Sequence, residues 1–167
     1  MSRRTEVLLA IACAASAIAL GASELMNTFA LRPPGGETQE LLGAGERHHY
    51  ALLVLGLFAV LALLVAVVTG SKPAALAVAA AGVLALLIFL LTDLPDAGQL
   101  GTLDDPRQSF VDSKAYPVSG FYMELVGSTV LALCGAALAT LRPDQLKLFG
   151  PTLPRAPGPL DRHGELG

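Results

Sequence analysis

Two long runs of uncharged, apolar residues occupy the centre of the chain. No charged residue occurs between Tyr50 and Val68, and none occurs between Pro73 and Leu91. Each run is long enough to cross about 30 Å of hydrocarbon as an α-helix. The Gly-Ser-Lys-Pro connection at 70–73 is short and allows only a tight antiparallel return. The pattern therefore predicts a transmembrane helical hairpin.

Two further apolar runs flank this hairpin, and both contain polar residues. The first, Val7 to Leu31, includes Glu24 and Asn27, and the last, Val118 to Leu141, includes Glu124. Together the four runs predict an all-α fold, a four-helix transmembrane bundle. We expect its spans at about 7–31, 48–69, 73–93 and 118–141.

The segments outside the spans have compositions typical of loops. Residues 32–47 contain a Pro-Pro-Gly-Gly sequence, which stops a helix. Residues 94–117 form a 24-residue connection rich in Asp and Pro, which we expect on the outer side. Residues 144–167 are Pro-rich and predict an irregular cytoplasmic tail, apart from a short helical turn near 144–149.

A signal peptide is the alternative interpretation of the first apolar run. Arg3 and Arg4 precede an Ala- and Leu-rich stretch, as in a secretory signal. Glu6, however, stands where the twin-arginine pattern requires an apolar residue. We therefore expect an uncleaved first helix.

Composition agrees with a membrane protein and excludes several other classes. Of the 167 residues 53% are hydrophobic and 15% are charged, and the apolar residues cluster in long runs rather than at a regular period. The net charge of −3 and the lack of a basic patch do not indicate a nucleic-acid partner. Both cysteines, Cys13 and Cys134, lie within apolar runs, so no disulfide framework is indicated.

The distribution of Lys and Arg predicts the orientation in the membrane. With both termini inside, seven of these residues fall near cytoplasmic span ends and four fall on the other face. All three tyrosines then lie at the outer mouth, where interfacial aromatic residues are expected. The Ala-, Leu-, Gly- and Arg-rich usage is associated with bacteria of high genomic GC content. We therefore expect a multi-pass protein of a bacterial plasma membrane.

The candidate site is a set of polar residues in the outer half of the bundle. On helical geometry Glu24 and Glu124 lie roughly 9–10 Å inside the outer boundary, because the rise is about 1.5 Å per residue. A carboxylate in lipid is costly, so both should face the bundle interior or a wet cavity. The candidate cluster comprises Glu24, Asn27, His48, His49, Asp93 and Glu124.

Four hypotheses account for this cluster. Its members can hydrogen-bond to fix helix register, meet a larger membrane complex, bind a metal through carboxylates and His48 or His49, or carry protons through Glu24 and Glu124. No HxxxH spacing occurs, and adjacent histidines on a helix point about 100° apart. The sequence therefore assigns no metal ligands, no catalytic residues and no cofactor.

The sequence favours a non-catalytic role. Spans rich in small residues suit close packing, and the polar groups match no known active site. We expect an accessory or assembly subunit of a larger bacterial membrane complex, with membrane lipid and either protein partners or further copies of itself around it. The alternative is a small proton-coupled transporter or proton-relay protein using Glu24 and Glu124. A membrane metal-site protein is the third hypothesis.

Overall fold

The fold is a bundle of four long helices with a small β-sheet at one end. A computed structural model describes residues 3–32, 40–43, 48–97, 100–105 and 108–148. The helices are α1 (Arg3–Ser23), α2 (Ala51–Thr69), α3 (Lys72–Ile88), a π-helix (Phe89–Asp93), α4 (Leu94–Asp96), α5 (Ser119–Thr140) and α6 (Pro143–Leu146). The strands are β1 (Asn27–Arg32), β2 (Glu40–Gly43), β3 (Leu100–Asp105) and β4 (Gln108–Pro117).

Four helices are long and apolar enough to cross a membrane, as the sequence predicts. They are α1, α2, the continuous run Lys72–Asp96, and α5. Many large apolar side chains on them are exposed, among them Leu8, Ile18, Leu57 and Leu133, which suits a surface in contact with hydrocarbon. Which end faces the cytoplasm stays a prediction. We call the two ends the sheet end and the hinge end, the latter being the end with Gly70.

Each long helix packs on two others, so the bundle is a closed ring. The most extensive contacts join α1 to α2, α2 to α3, α3 to α5 and α5 back to α1. Glycines bring the backbones together. A Cβ at Gly135 of α5 would lie 2.6 Å from the backbone nitrogen of Ala79, and one at Gly56 would lie 2.7 Å from the carbonyl oxygen of Ala17. The small residues are therefore what permits such close packing.

The interior of the ring between its two ends is apolar. Its buried residues include Leu20, Leu52, Ala59, Val78 and Leu131. The two serine hydroxyls in this region bond within their own helices: Ser16 donates to Ala12 O at 2.8 Å, and Ser128 donates to Glu124 O at 2.7 Å. The cysteines, Cys13 on α1 and Cys134 on α5, are free thiols.

The residues of the tight hinge between α2 and α3 each have a conformation or contact that favours the turn. Gly70 has φ 73°, a left-handed conformation that glycine adopts without a steric penalty. Ser71 caps α3 by accepting a hydrogen bond from Ala74 N at 3.4 Å, and Pro73 occupies the first turn. The predicted antiparallel return is therefore built from residues that each suit their position.

The first helix is shorter than predicted. We expected helix to about residue 31, but α1 ends at Ser23, and Asn27–Arg32 is strand β1. Ser23 Oγ bonds Leu20 O at 2.7 Å, and Leu25 N and Met26 N close a turn on Ala22 O and Ser23 O. The depth calculated for Glu24 on a continuous helix was therefore wrong, and Asn27 does not lie on the first helix.

The all-α description also needs correction, because both connections on one side of the bundle contain strands. These form one four-stranded antiparallel sheet in the order β2-β1-β4-β3. Strand β1 follows α1 and pairs with β4, which precedes α5, with Ala30 opposite Tyr116. Strands from two distant loops satisfy each other's backbone groups, and this pairing is not visible in either loop alone.

Other predictions fall partly outside the described residues. The Pro-Pro-Gly-Gly segment at 33–36 lies outside them, as does the tail from residue 149. Before that point α6 spans Pro143–Leu146, and Leu148 N donates to Val67 O at 2.9 Å. The chain after α5 therefore packs against the hinge end of α2.

Candidate functional site

Four ionisable side chains meet inside the bundle at the sheet end. We call Glu24, His48, Asp93 and Glu124 the His–carboxylate cluster. Asp93 and Glu124 are fully buried, Glu24 is 2% exposed, and the His48 side chain is 4% exposed. Each residue comes from a different crossing segment: the turn after α1, the entry to α2, the π-helix and α5. The cluster therefore joins the sheet ends of all four long helices.

A strained turn delivers His48 to the cluster. The next two residues, His49 and Tyr50, have φ of 52° and 62°, in the left-handed region that non-glycine side chains rarely adopt. Consecutive residues of this kind persist only where the surrounding structure enforces them, and they concentrate at functional sites. The turn separates the two histidines, so that His48 points inward while His49 is exposed.

A π-helix delivers Asp93. Over Phe89–Asp93 the helix widens, and Leu94 N donates to Phe89 O, five residues back. Pro95 supplies a physical reason, because in an α-helix its ring would collide with the carbonyl of Leu91, four residues earlier. Such π-helical turns inside α-helices occur often at functional sites. Here the widening sets the direction of Asp93 at the end of the third span.

The two ring nitrogens of His48 face different carboxylates. Nε2 lies 3.2 Å from Asp93 Oδ2 and 3.2 Å from Thr92 Oγ1. Nδ1 lies 3.7 Å from Glu24 Oε1. One ligand atom each of His48, Asp93 and Glu124 lies within 4.8 Å of the other two. Among the described residues these three have the geometry of a metal-ligand group.

Buried aromatic side chains lie near the cluster. Phe29 of β1, Phe89 of the π-helix and Phe121 of α5 are buried together, with the rings of Phe89 and Phe121 4.8 Å apart. Phe89 and Phe121 precede Asp93 and Glu124 by about one turn on their helices, so this aromatic cluster lies beside the carboxylates. A charge in such surroundings is poorly solvated and requires a partner of opposite charge.

The electrostatics of Glu24 reflect this burial. Glu24 lies outside the membrane-spanning helix, one residue beyond the end of α1. Burial raises the pKa of its carboxyl above the ordinary value, and Asp93 adds to this, while His48 and the backbone amides of Leu52 and Tyr50 act in the opposite direction. Among the described residues the cluster has three buried carboxyl groups around one imidazole, so these four side chains carry excess negative charge unless cations or protons neutralise it.

Of the six residues in the candidate set, the structure brings four together and leaves two outside. Glu24, His48, Asp93 and Glu124 form the cluster. Asn27 and His49 are exposed, Asn27 because it begins strand β1 rather than continuing α1. The sequence did not establish whether the first and last long helices are neighbours. In the structure they are, and both glutamates approach the imidazole of His48.

Sequence reasoning missed the two backbone features that build the site. The Thr-Asp-Leu-Pro sequence at 92–95 was a signal for the π-helix, because a proline just past an acidic residue disturbs the preceding turn. The His-His-Tyr sequence gave no comparable signal for the left-handed turn. The candidate set also left out Thr92, although its hydroxyl lies at the His48 ring and donates to Ile88 O at 2.6 Å.

Comparison with other proteins does not add to this geometry. No protein family, no curated protein and no solved structure matches the chain.

Proposed function

We propose that this protein binds a divalent metal ion at the sheet end of its bundle and that the ion is structural. The ligands are His48 Nε2 and the carboxylates of Asp93 and Glu124. The observation that carries the proposal is the approach of these three ligand atoms to within 4.8 Å of one another. First-row metal ions hold N and O ligands at about 2.0–2.2 Å, so small side-chain rotations close the group on an ion.

Charge supports the same conclusion. Asp93 and Glu124 are fully buried, and two ionised carboxylates in such a site repel each other. A divalent ion neutralises both of them at once. His48, bound to the ion through Nε2 and protonated on Nδ1, is a neutral imidazole, so its N–H orients Glu24 without balancing the charge of that carboxylate. The ion thus reduces the excess negative charge of the three carboxylates to that of Glu24, which a proton on Glu24 would remove.

The position of Glu24 is typical of a residue that hydrogen-bonds to a metal-binding histidine and orients it. A metal-bound histidine almost always donates its second ring N–H to a carboxylate, carbonyl or water, which fixes its tautomer and orientation. Glu24 Oε1 lies 3.7 Å from His48 Nδ1, on the opposite side of the ring from Asp93. This separation is longer than a hydrogen bond, and a slight rotation of the ring toward an ion can adjust it.

The ligand types favour Zn²⁺, Mn²⁺ or Fe²⁺. Imidazole suits the later first-row metals, while carboxylates suit harder ions such as Mn²⁺, and this site combines one nitrogen with two oxygens. Three protein ligands leave one coordination position open, as in catalytic sites. The near-complete burial of the cluster restricts access to that position and so supports a non-catalytic ion that ties the helix ends together.

The proton-relay hypothesis receives less support. A relay through Glu24 and Glu124 needs polar groups that continue toward the hinge end. A buried carboxylate, Glu6, does lie near the hinge end of α1, but between it and the cluster the described interior is apolar. The hydroxyls of Ser16 and Ser128 in that region bond to carbonyls of their own helices. The accessory-subunit role stays a prediction, with which a structural ion is compatible.

Elemental analysis tests the proposal. The full chain is purified in mild detergent without chelator, then exposed to Zn²⁺ or Mn²⁺ and desalted. We expect about one ion per chain, lost in His48→Gln and in Asp93→Asn. His49→Gln is the matched control, because His49 adjoins His48 but is exposed, and it should retain the ion. A wild-type chain that retains no divalent metal after loading contradicts the proposal.

A further inference from the structure

A groove runs along the outside of the bundle toward the hinge end, between α1 and α2. Its volume is about 490 Å³, and its walls are apolar, with Val7 and Ile11 on one side and Val60 and Leu64 on the other. One charged residue, Arg3, contributes to the lining. Because the walls belong to membrane-spanning helices, the occupant must present apolar surface.

The chain after α5 makes this groove a preformed feature. Leu148 contributes to its lining and is held in place by the hydrogen bond from its N–H to Val67 O, at 2.9 Å. Just before it, Leu146 is 1% exposed and packs into the core. The groove is therefore bounded by three separate parts of the chain rather than by two helices alone.

Arg3 gives one end of the groove an anion-binding character. It is exposed and lies in the first turn of α1, where the helix dipole also favours negative charge. A guanidinium donates two parallel hydrogen bonds to a phosphate. A molecule with an apolar chain and a phosphate at one end matches both parts of the site.

A second groove on α1 provides a comparison within the same molecule. It has a volume of about 440 Å³ and is lined by Ala15 and Ala19 of α1 and by Tyr122, Met123 and Val126 of α5, together with Ser16 and Gly127. Its lining contains no charged residue. The two grooves are alike in size and apolar character, so selectivity for a charged lipid should arise only at the one that contains Arg3.

We infer that the α1–α2 groove binds an anionic phospholipid, with an acyl chain against Val7, Ile11, Val60 and Leu64 and the phosphate on Arg3. This inference is independent of the metal site. One basic residue near a membrane surface contributes about 1 kcal/mol to the binding of an anionic lipid. Removing the charge of Arg3 should therefore weaken retention about fivefold.

Native mass spectrometry of the full chain tests this inference. The protein is reconstituted in nanodiscs with equal amounts of phosphatidylglycerol and phosphatidylcholine, then released, and the retained lipids are counted. We expect phosphatidylglycerol to be retained in preference. Arg3→Gln should lower its retention about fivefold, whereas Arg4→Gln, which changes an exposed arginine outside the groove lining, should not.

Three results would overturn the inference. Equal retention of both lipids would mean ordinary annular lipid. Wild-type retention in Arg3→Gln would show that the guanidinium does not hold the headgroup. Equal losses in Arg3→Gln and Arg4→Gln would indicate diffuse surface attraction rather than a site.

Discussion

The middle and the sheet end of the bundle are held together by different physical means. In the middle, apolar side chains and glycine-mediated backbone contacts fill the ring, as where Gly56 meets Ala17. At the sheet end, four ionisable groups are buried beside an aromatic cluster. Close packing requires only the protein itself, whereas buried like charges require a counterion or protons. We therefore expect the sheet end alone to depend on a bound ion.

Filling a glycine contact in the middle should have the largest effect. A Cβ at Gly82 of α3 would overlap the backbone of Ala132 on α5, so Gly82→Val should prevent the two helices from packing. We expect loss of folded protein, measured by the yield of monodisperse protein after size exclusion in detergent. Gly43→Ala is the control, because a Cβ there meets nothing within 4 Å. Normal yield of Gly82→Val would mean that the helices are less tightly packed than described.

Removing a metal ligand should act at the sheet end and leave the middle intact. Asp93→Asn keeps the shape of the side chain but removes its charge. We therefore expect the metal affinity to fall by about 100-fold or more, a larger loss than that caused by removing a residue that only hydrogen-bonds to a ligand. The chain should still fold, because its apolar core is unchanged. Titration with Zn²⁺ followed by thermal unfolding measures both quantities. Unchanged affinity would remove Asp93 from the ligand set.

Glu24→Gln should have an intermediate effect. Glu24 faces Nδ1 of His48, while the ion is expected at Nε2. The Gln amide oxygen can still accept the hydrogen bond from Nδ1–H, but it lacks the negative charge of the carboxylate. Loss of such a group typically costs about 10–100-fold in metal affinity. The same titration checks this. An effect as large as that of Asp93→Asn would make Glu24 a direct ligand.

Asn27→Ala should have the smallest effect. The sequence placed Asn27 in the cluster, but its side chain is exposed on β1. We expect metal affinity within about twofold of wild type, since exposed substitutions away from special features change little. A larger loss would mean that Asn27 reaches the cluster after all.

The sequence predicted the middle of the molecule better than the sheet end. Runs without charge, such as Tyr50 to Val68, determine a membrane helix almost alone, and four long apolar helices are present as expected, although the first ends at Ser23. The strands were missed because pairing between β1 and β4 joins residues about 85 positions apart, and no local pattern encodes a long-range partner. Strands β3 and β4 lie in the Asp- and Pro-rich segment 94–117, whose composition is that of a loop, and most of β1 lay within the predicted first span.

The candidate site was predicted in part for a related reason. Charged residues within or next to long apolar runs are easily recognised in a sequence, and Glu24, Asp93 and Glu124 were selected for that reason. Their arrangement depends on the left-handed turn at His49 and Tyr50 and on the π-helix before Leu94. Both are departures from regular helix geometry. Reasoning from an ideal helix therefore placed Asn27 in the cluster and did not predict which of the two histidines faces the bundle interior.

Hydrogen–deuterium exchange, with and without chelator, tests the central claim most directly. If an ion holds the sheet end, its removal from metal-loaded protein should increase exchange in β1, β4, the entry to α2 and the π-helix. The middle of α1, α2, α3 and α5 should stay protected, and Zn²⁺ should restore the original pattern. In Asp93→Asn the sheet end should exchange rapidly under both conditions. Exchange that chelation leaves unchanged, or that rises uniformly along the chain, would contradict the account.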